Sequence, residues 1–501
     1  MAKKQQQQEA SAAETQSTDS ILSDILDRMP ATVEKTRGRD LVETLIKGVM
    51  SKTVTWDRSL TRTVLQAIDE IDRRMSKQLS AIMHHPEFQK LEGSWRGLDY
   101  LVKNTSTGPD LHLKVLNVSK KELHRDLTRA LEFDQSALWR RVYEDGFGTA
   151  GGNPFGALVG DYEFSNDNMD IELLQGVASV AATAFAPFIA AAAPGLFGLD
   201  SFTELPQIRD LATTFDDATL YAKWNSFRNS DDSRFVVLTM PRVLAREPYG
   251  SNNRRIDEFK FEEFDLAKDN RTSVEARHDQ YTWMNCAYVQ ATQLTKAFRD
   301  TAWCTRIRGF ENGGKVEDLP FHVFRTSEGD REQKCPTEIL IPDTRENELS
   351  KLGFLALCSY KDTDYAVFFG AQTVQKAKKY LGDHAATENA AISARLPYIM
   401  ASSRIAHYLK CIARDKIGAF TERKELEDFL KRWISAYVLD SATPTADQKA
   451  RIPLAAAEIQ VDSIPGRPGS YNAVALLRPW LQLEELTASL RMVAELPSEK
   501  K

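Results

Sequence analysis

Three side chains have the types and positions that acid–base catalysis would need. Asp161 and Glu163 lie two residues apart in a predicted strand, so both carboxylates face the same way. His407 lies in a predicted helix among apolar neighbours. No base or metal-ligand motif accompanies them, so solvated or ion-paired acids and a hydrogen-bonded core histidine are the simpler interpretation. A cryptic hydrolase-like enzyme built on these three groups is retained as an alternative.

One glycine-rich string, residues 146–151, matches the dinucleotide-binding pattern G-x-G-x-x-G. The pattern binds a pyrophosphate only where a strand precedes it and a helix follows. Here a predicted helix ends just before the string, and a predicted strand, residues 155–164, follows it. The inverted order argues against nucleotide binding, and the sequence predicts no cofactor.

Histidine and cysteine positions match no common metal-binding pattern. The five cysteines lie far apart without a C-x-x-C pair, so free thiols in a reducing compartment are expected. His84 and His85 abut Pro86 at a predicted helix end, where capping of free carbonyls is the simpler role. P-loop, nucleophile-elbow and H-E-x-x-H motifs are absent from the sequence. We therefore predict no catalytic site and no metal.

Composition sets the broad class of the protein. The 501 residues are 42% hydrophobic and 27% charged, which suits two or three globular domains. A formal net charge of -6 argues against nucleic-acid binding. The uncharged run between Glu172 and Asp200 is rich in alanine and broken by glycine and proline, which indicates a buried helix or helix pair rather than direct membrane insertion. Without a signal-peptide pattern at the start, a cytoplasmic protein is expected.

Four regions follow from composition and periodicity. They are a disordered polar tail at 1–19, an N-terminal arm of short helices and one strand-like stretch at 20–58, a main α/β region at 59–375, and a C-terminal region with a long helix and a terminal strand pair at 376–501.

The main region begins with a long amphipathic helix, residues 59–84. Its apolar stripe is Leu60, Val64, Ile68, Ile71, Met75, Leu79 and Ile82, and the spacing does not say whether it faces a core or a partner. Further strands are predicted at 111–118, 155–164, 234–240, 338–341 and 365–369, and helices at 120–133, 207–215, 282–299 and 386–416. Residues 440–460 are predicted to be a transition segment, after which the terminal strand pair begins. This alternation indicates a mixed α/β (α+β) fold.

The terminal strand pair has no predicted third strand near it in sequence. Residues 471–477 are almost wholly apolar and are predicted to be buried on both faces, whereas residues 486–494 alternate as a half-buried strand does. Local pattern alone favours strands that complete the chain's own sheet. A lone hairpin is marginal in water, however, and another chain can extend its edges.

Several passages together resemble the large subunit of the bacterial type VI secretion contractile sheath, the VipB or TssC type. The likeness runs from about Leu60 to the C-terminus. The matching stretches are residues 85–89, 91–98, 147–164, 186–188, 238–246, 248–250, 308–309 with 313–314, and 403–410.

This resemblance implies a structural protein without a catalytic site. Family members pair with a small sheath subunit, the VipA or TssB type, and copies of the heterodimer stack as a helical polymer around an Hcp inner tube. The sheath docks on a membrane-anchored baseplate, contracts to propel the tube, and is then unfolded by a ClpV-type ATPase. These are the implied partners, and the implied location is the cytoplasm.

The resemblance also implies that C-terminal strands pair with N-terminal strands of neighbouring subunits. On this sequence the donated arm strand would be Thr53, Val54, Thr55 and Trp56. The inter-subunit strand residues would be Tyr471, Ala473, Val474, Leu476, Leu477, Leu486, Ala488, Leu490, Met492 and Val493. A monomeric scaffold whose C-terminal strands are paired internally is the remaining alternative.

Overall fold

The computed structural model describes most of the chain beyond residue 59. The described residues are 60–149, 151–217, 219–250, 254–264, 275–325, 331–415, 423–439, 441, 443–463, 471–480 and 490–495, together with Asp40, Glu43, Thr44 and Gly48. The predicted tail, the donated strand Thr53 to Trp56, and Leu486 and Ala488 lie outside them.

Helices occupy much of the described chain. In order they are α1 (Leu60–Met83), α2 (Pro86–Lys103), α3 (Lys120–Arg129), α4 (Ala137–Trp139), α5 (Asn168–Ala184), α6 (Leu211–Phe215), α7 (Ala222–Asn229), α8 (Cys286–Thr301), α9 (Asp343–Lys351), α10 (His384–Ser393), α11 (Leu396–Asp415), α12 (Arg423–Ser435) and α13 (Ala446–Arg451). A π-helical segment, Arg140–Gly148, continues α4. Short 3-10 helices lie at Phe133–Gln135, Pro194–Phe197, Phe202–Gln207, Asp232–Phe235 and Glu275–Gln280.

Strands are shorter and fall into several sheets. In order they are β1 (Leu158–Phe164), β2 (Phe188–Ala192), β3 (Val236–Met240), β4 (Val243–Leu244), β5 (Trp283–Met284), β6 (Lys315–Val316), β7 (His322–Arg325), β8 (Arg331–Lys334), β9 (Phe354–Ser359), β10 (Ala366–Phe368), β11 (Leu454–Ser463), β12 (Tyr471–Pro479) and β13 (Leu490–Glu495). Together with the helices they confirm the mixed α/β class.

The helices predicted at 59–84, 120–133, 207–215, 282–299 and 386–416 are present with shifted ends. α6 and α8 begin later than predicted because Asp210 and Asn285 cap them, accepting bonds from the amides of Ala212 (2.9 Å) and Ala287 (2.8 Å). The predicted helix 386–416 is two helices, α10 and α11. They separate near Ala394, whose carbonyl accepts a 2.7 Å bond from the hydroxyl of Thr373.

Three sequence predictions are wrong in this part of the chain, and a fourth is wrong in part. Residues 111–118 and 338–341 form no strand, and residues 440–460 are no transition, because they contain α13 and most of β11. The prediction of a buried helix or helix pair in the uncharged run is right for its first half, which belongs to α5, and wrong for its second half, which contains the buried strand β2. Across the described residues, no helix is long and apolar enough to cross a membrane.

The chain divides into two compact units, and the larger one combines residues 86–247 with residues 271–501. A six-stranded sheet forms the centre of this larger unit. Its strand order is β1-β2-β3-β9-β10-β6, with β1, β2, β3 and β9 parallel. Side chains that alternate along β9 supply two cores. Phe354 packs with Trp224 of α7 on one face, and Leu355 packs with Val289 of α8 on the other. Burial on both faces explains the nearly continuous apolar sequences of β2 and β3.

The smaller unit combines residues 1–85 with 248–270, and its described part is built on α1. The hydroxyls of Ser76 and Ser80 donate to the carbonyls of Lys260 (3.4 Å) and Glu263 (3.0 Å). His84 Nε2 lies 3.2 Å from Glu263 Oε1. The predicted capping role of His84 is therefore wrong, because a carboxylate from a distant segment reaches its ring.

Candidate functional site

The C-terminal strands form a three-stranded antiparallel sheet with β12 in the middle. Ala475 of β12 pairs with Ile459 of β11 on one side and Met492 of β13 on the other. Both predicted strands are therefore present, but the prediction that they lack a third strand is wrong. β12 is paired along both of its edges within the chain.

Strand β11 was missed because its first half is nearly all alanine, which has low strand propensity. Its second half did carry a signal. Glu458, Gln460 and Asp462 are exposed, whereas Ile459 and Val461 between them are buried. This two-residue alternation is the pattern of a strand with one face in a core.

One face of the sheet packs on α11 and α12. The buried side chains of this core include Ile405, Leu409, Leu426, Leu430, Ile434, Ile459, Val461, Ala473, Ala475 and Leu477. On β12, Val474 and Leu476 point the other way and are half-buried. The prediction that β12 is buried on both faces is therefore wrong, because helices cover one face of this small sheet.

The structure brings most of the predicted strand residues into one sheet. Ala473 and Leu477 lie in its core, Val474 and Leu476 lie on its outer face, and the backbone of Tyr471 pairs with Ser463. Leu490, Met492 and Val493 pair with Leu477, Ala475 and Val474 respectively. Their role in contacts between subunits stays a prediction.

The outer edges of the sheet differ. The backbone amide of Leu439 donates to the carbonyl of Leu454 (2.9 Å), and the guanidinium of Arg423 donates to the carbonyl of Val461 (3.2 Å), so the chain itself engages the outer strand β11 at two points. Among the described residues, no strand other than β12 pairs with β13, so its outer edge has no strand partner there. The outer edge of β13 is thus the better template for an incoming strand.

The two strand carboxylates, Asp161 and Glu163, have separate surroundings. Arg242 donates to both oxygens of Glu163 at 2.7 Å, which makes a bidentate ion pair. Asp161 accepts hydrogen bonds from Ser94 and Tyr288, while burial raises its pKa. Glu163 is thus an ion-paired acid, as the simpler interpretation expected, and Asp161 is a hydrogen-bonded one.

His407 and Lys410, one turn apart on α11, satisfy the C-terminal carbonyls of α5. His407 Nε2 lies 2.8 Å from the carbonyl oxygen of Ala184, and Lys410 donates to that of Thr183 at 3.1 Å. Burial lowers the pKa of His407 to about 4. The interpretation as a core histidine is confirmed.

Acid is expected to destabilise the fold through His407. Its folded-state pKa is about 4, below the usual 6.5, so between these values the unfolded chain binds a proton that the folded chain does not. The loss should grow to about 3 kcal/mol as the pH falls to 4. His407→Gln, whose amide can still donate to Ala184, should flatten the dependence of the unfolding midpoint on pH over this range. His112→Gln, at an exposed site, is the control. Equal slopes in both variants would contradict this role.

The glycine-rich string lies at the end of a helical segment and before a strand, as the sequence predicted. The π-helical segment Arg140–Gly148 precedes strand β1, so the order is the reverse of a dinucleotide site. A Cβ on Gly152 would lie 2.6 Å from the carbonyl oxygens of Asp145 and Gly146, which explains a glycine at this tight turn.

All five cysteines are free thiols. The described residues contain no group of three or more acidic, histidine or cysteine side chains that could hold a metal ion.

Comparisons with known proteins cover almost the whole chain. Residues 65–375 match the EvpB/VC_A0108 tail sheath N-terminal domain, and residues 385–496 match the tail sheath gpW/gp25-like domain of the same family. The chain is 45% identical over 493 residues to the type VI secretion system sheath protein TssC1 of Pseudomonas aeruginosa, covering 97% of each. A chain in the cryo-EM structure of the anti-feeding prophage baseplate aligns over 82% of this chain and 84% of its own length, with 10% identity and a TM-score of 0.32, too low to support any argument. By its two domain matches and its 45% identical relative, the chain belongs to the EvpB/VC_A0108 family of tail sheath proteins.

Proposed function

We propose that this chain is the large structural subunit of a type VI secretion contractile sheath and acts by assembly rather than catalysis. Family membership gives the class of machine. The mode of assembly is inferred from the C-terminal sheet. Among the described residues, no further strand pairs with the outer edge of β13. An open edge of this kind accepts a strand from another chain.

In the proposed assembly, the arm strand Thr53 to Trp56 of a neighbouring subunit adds to β13. A four-residue strand makes only a few backbone hydrogen bonds, each contributing about 1 kcal/mol net. One such contact is weak, but repetition around a ring makes the whole strong. Subunits linked by strands stay connected while their other contacts rearrange.

Exposed apolar surface on α1 supports the proposal that the protein functions in a complex. The helix buries small or polar side chains, among them Thr63, Ala67 and Ser76. Its predicted apolar stripe is largely exposed instead, at 39% for Val64, 46% for Ile68, 55% for Ile71, 47% for Met75 and 53% for Ile82. Such a stripe suits packing against a partner helix, and the small sheath subunit is the partner proposed.

The remaining partners follow from the same proposal. They are further copies of the chain, an Hcp inner tube, baseplate components and a ClpV-type ATPase that disassembles the contracted sheath, all in or at the edge of the bacterial cytoplasm. Assembly traps an extended state, and contraction then buries more surface between subunits, which supplies the work. The division of the chain at residues 19, 58 and 375 stays a prediction.

The internal pairing of β12 keeps a monomeric scaffold as the second candidate. Co-expression with the small sheath subunit from the same gene neighbourhood separates the two, with negative-stain microscopy as the readout. Tubules are expected from the pair and none from the chain expressed alone. A monodisperse chain that neither binds the small subunit nor forms tubules would favour the scaffold.

A further inference from the structure

A strand-forming stretch without a strand partner lies between α2 and α3. Its sequence, Leu-His-Leu-Lys-Val-Leu-Asn-Val at residues 111–118, is rich in residues that favour strands. Yet no backbone group of residues 112–117 bonds to another described backbone group, and no turn or bend interrupts this stretch. Val115 and Leu116 are 70% and 60% exposed. We name residues 111–118 the open segment.

The chain fixes the open segment at both ends. Leu111 and Gly108 exchange backbone hydrogen bonds of 3.1 and 3.3 Å, and the hydroxyl of Tyr162 donates to the carbonyl of Val118 at 2.7 Å. Between them, the ammonium of Lys114 lies 5.2 Å from the ring centre of Phe155. The segment is therefore held in place before any partner arrives, which lowers the entropy cost of binding.

An apolar helix face lies beside the open segment. α2 buries Gly93, Gly97 and Leu101 and leaves its large apolar side chains outside, with Phe88 40%, Leu91 56%, Trp95 65% and Val102 48% exposed. Leu98 of α2 and Leu113 of the open segment pack against the same small cluster, which contains Leu101 and Tyr288. Helix and segment thus adjoin each other at this cluster.

Charge indicates what this surface binds. Residues 111–121 contain no Asp or Glu, whereas His112, Lys114, Lys120 and Lys121 are basic or titratable. Lys120 already pairs with Asp170 at 2.6 Å, whereas Lys114, the one Lys or Arg within the open segment, is exposed. A second copy of the segment would bring like charges together, so an acidic strand is the better match.

We propose that the open segment pairs, edge to edge, with an extended segment of a different chain, apolar with Asp or Glu among its residues, whose apolar side chains also cover the outer face of α2. The small sheath subunit is the chain in question, an identity that rests on the proposed function. This contact lies in the main α/β region and is separate from the strand exchange proposed at β13.

Two proline variants test the contact by quantified co-purification with the small subunit. Successive residues of a strand point their N–H groups to opposite sides, so Val115→Pro or Leu116→Pro removes one that pairing needs. The proline that removes the N–H facing the partner should lower the fraction of small subunit bound at least tenfold without changing the melting temperature. Asn117→Ala, which keeps its N–H, is the matched control and should bind as the parent does.

Hydrogen–deuterium exchange of the parental complex gives a readout that needs no variant. Every second amide among residues 112–117 should be protected at least tenfold relative to the amides of an exposed loop. Full exchange there, or unchanged binding by both folded prolines, would overturn this inference and leave the proposed function standing. Prolines that weaken only self-association would overturn it in favour of a second copy. A parental chain that binds no small subunit would overturn both.

Discussion

A chain that ends at Trp480, and so lacks β13, is expected to fold and bind the small subunit but to form no tubules. The core that contains Ile405, Leu430 and Ala475 includes buried side chains of α11, α12, β11 and β12, and β11 and β12 stay paired without β13. Loss of β13 uncovers the edge of β12 instead. A strand arriving there would be displaced by about 4.8 Å and would run in the opposite direction, so it could not reproduce the same ring.

The expected effect is large because each ring repeats the contact. A lost strand contact of about 3–4 kcal/mol lowers an association constant by two to three orders of magnitude. The control is a chain that ends at Glu495, which keeps β13 and should still form tubules. Negative-stain microscopy counts the tubules, and a melting curve checks the fold. Tubules of unchanged lattice from the shorter chain would contradict the role given to β13.

Alanine at Gly93 or Gly97 is expected to destabilise the protein, although alanine favours helices by about 1 kcal/mol over glycine. A Cβ at Gly93 would lie 2.2 Å from the carbonyl oxygen of Trp283, and one at Gly97 would lie 2.3 Å from the ring of Tyr288. Neither the backbone of β5 nor the buried ring can move without cost. We expect losses of about 2–4 kcal/mol in the free energy of unfolding.

The midpoint of urea unfolding of the purified complex measures this loss. Gly156→Ala is the control, because no atom lies within 4 Å of the Cβ that it adds and its backbone needs no left-handed conformation. A midpoint that rises in Gly93→Ala would show that helix propensity outweighs the contact with β5, and the close packing of α2 would then be wrong.

Periodicity predicted which elements exist better than it predicted which surfaces they bury. The spacing of Val64, Ile68 and Ile71 placed α1 correctly, yet the structure turns that stripe outward and buries Thr63 and Ala67. The spacing of apolar residues indicates that one face of a helix is apolar, but it does not say which chain covers that face. The same limit applies to α2, whose inward face holds glycines.

Strand predictions failed where the partner, rather than the strand, decides the outcome. Residues 112–117 have strand-forming side chains but no described backbone partner, whereas the alanines of β11 become a strand because β12 pairs with them. Strand propensity depends on packing and pairing and is a weak guide by itself. His84 shows a related limit, since Glu263 is nearly 180 residues away in sequence.

The most direct test of shared strands between subunits is a helical reconstruction of tubules formed with the small sheath subunit. We expect a strand from another subunit hydrogen-bonded to the outer edge of β13, with β11 and β12 paired as in the single chain. Tubules in which the outer edge of β13 faces solvent, and in which no strand passes between subunits, would contradict it.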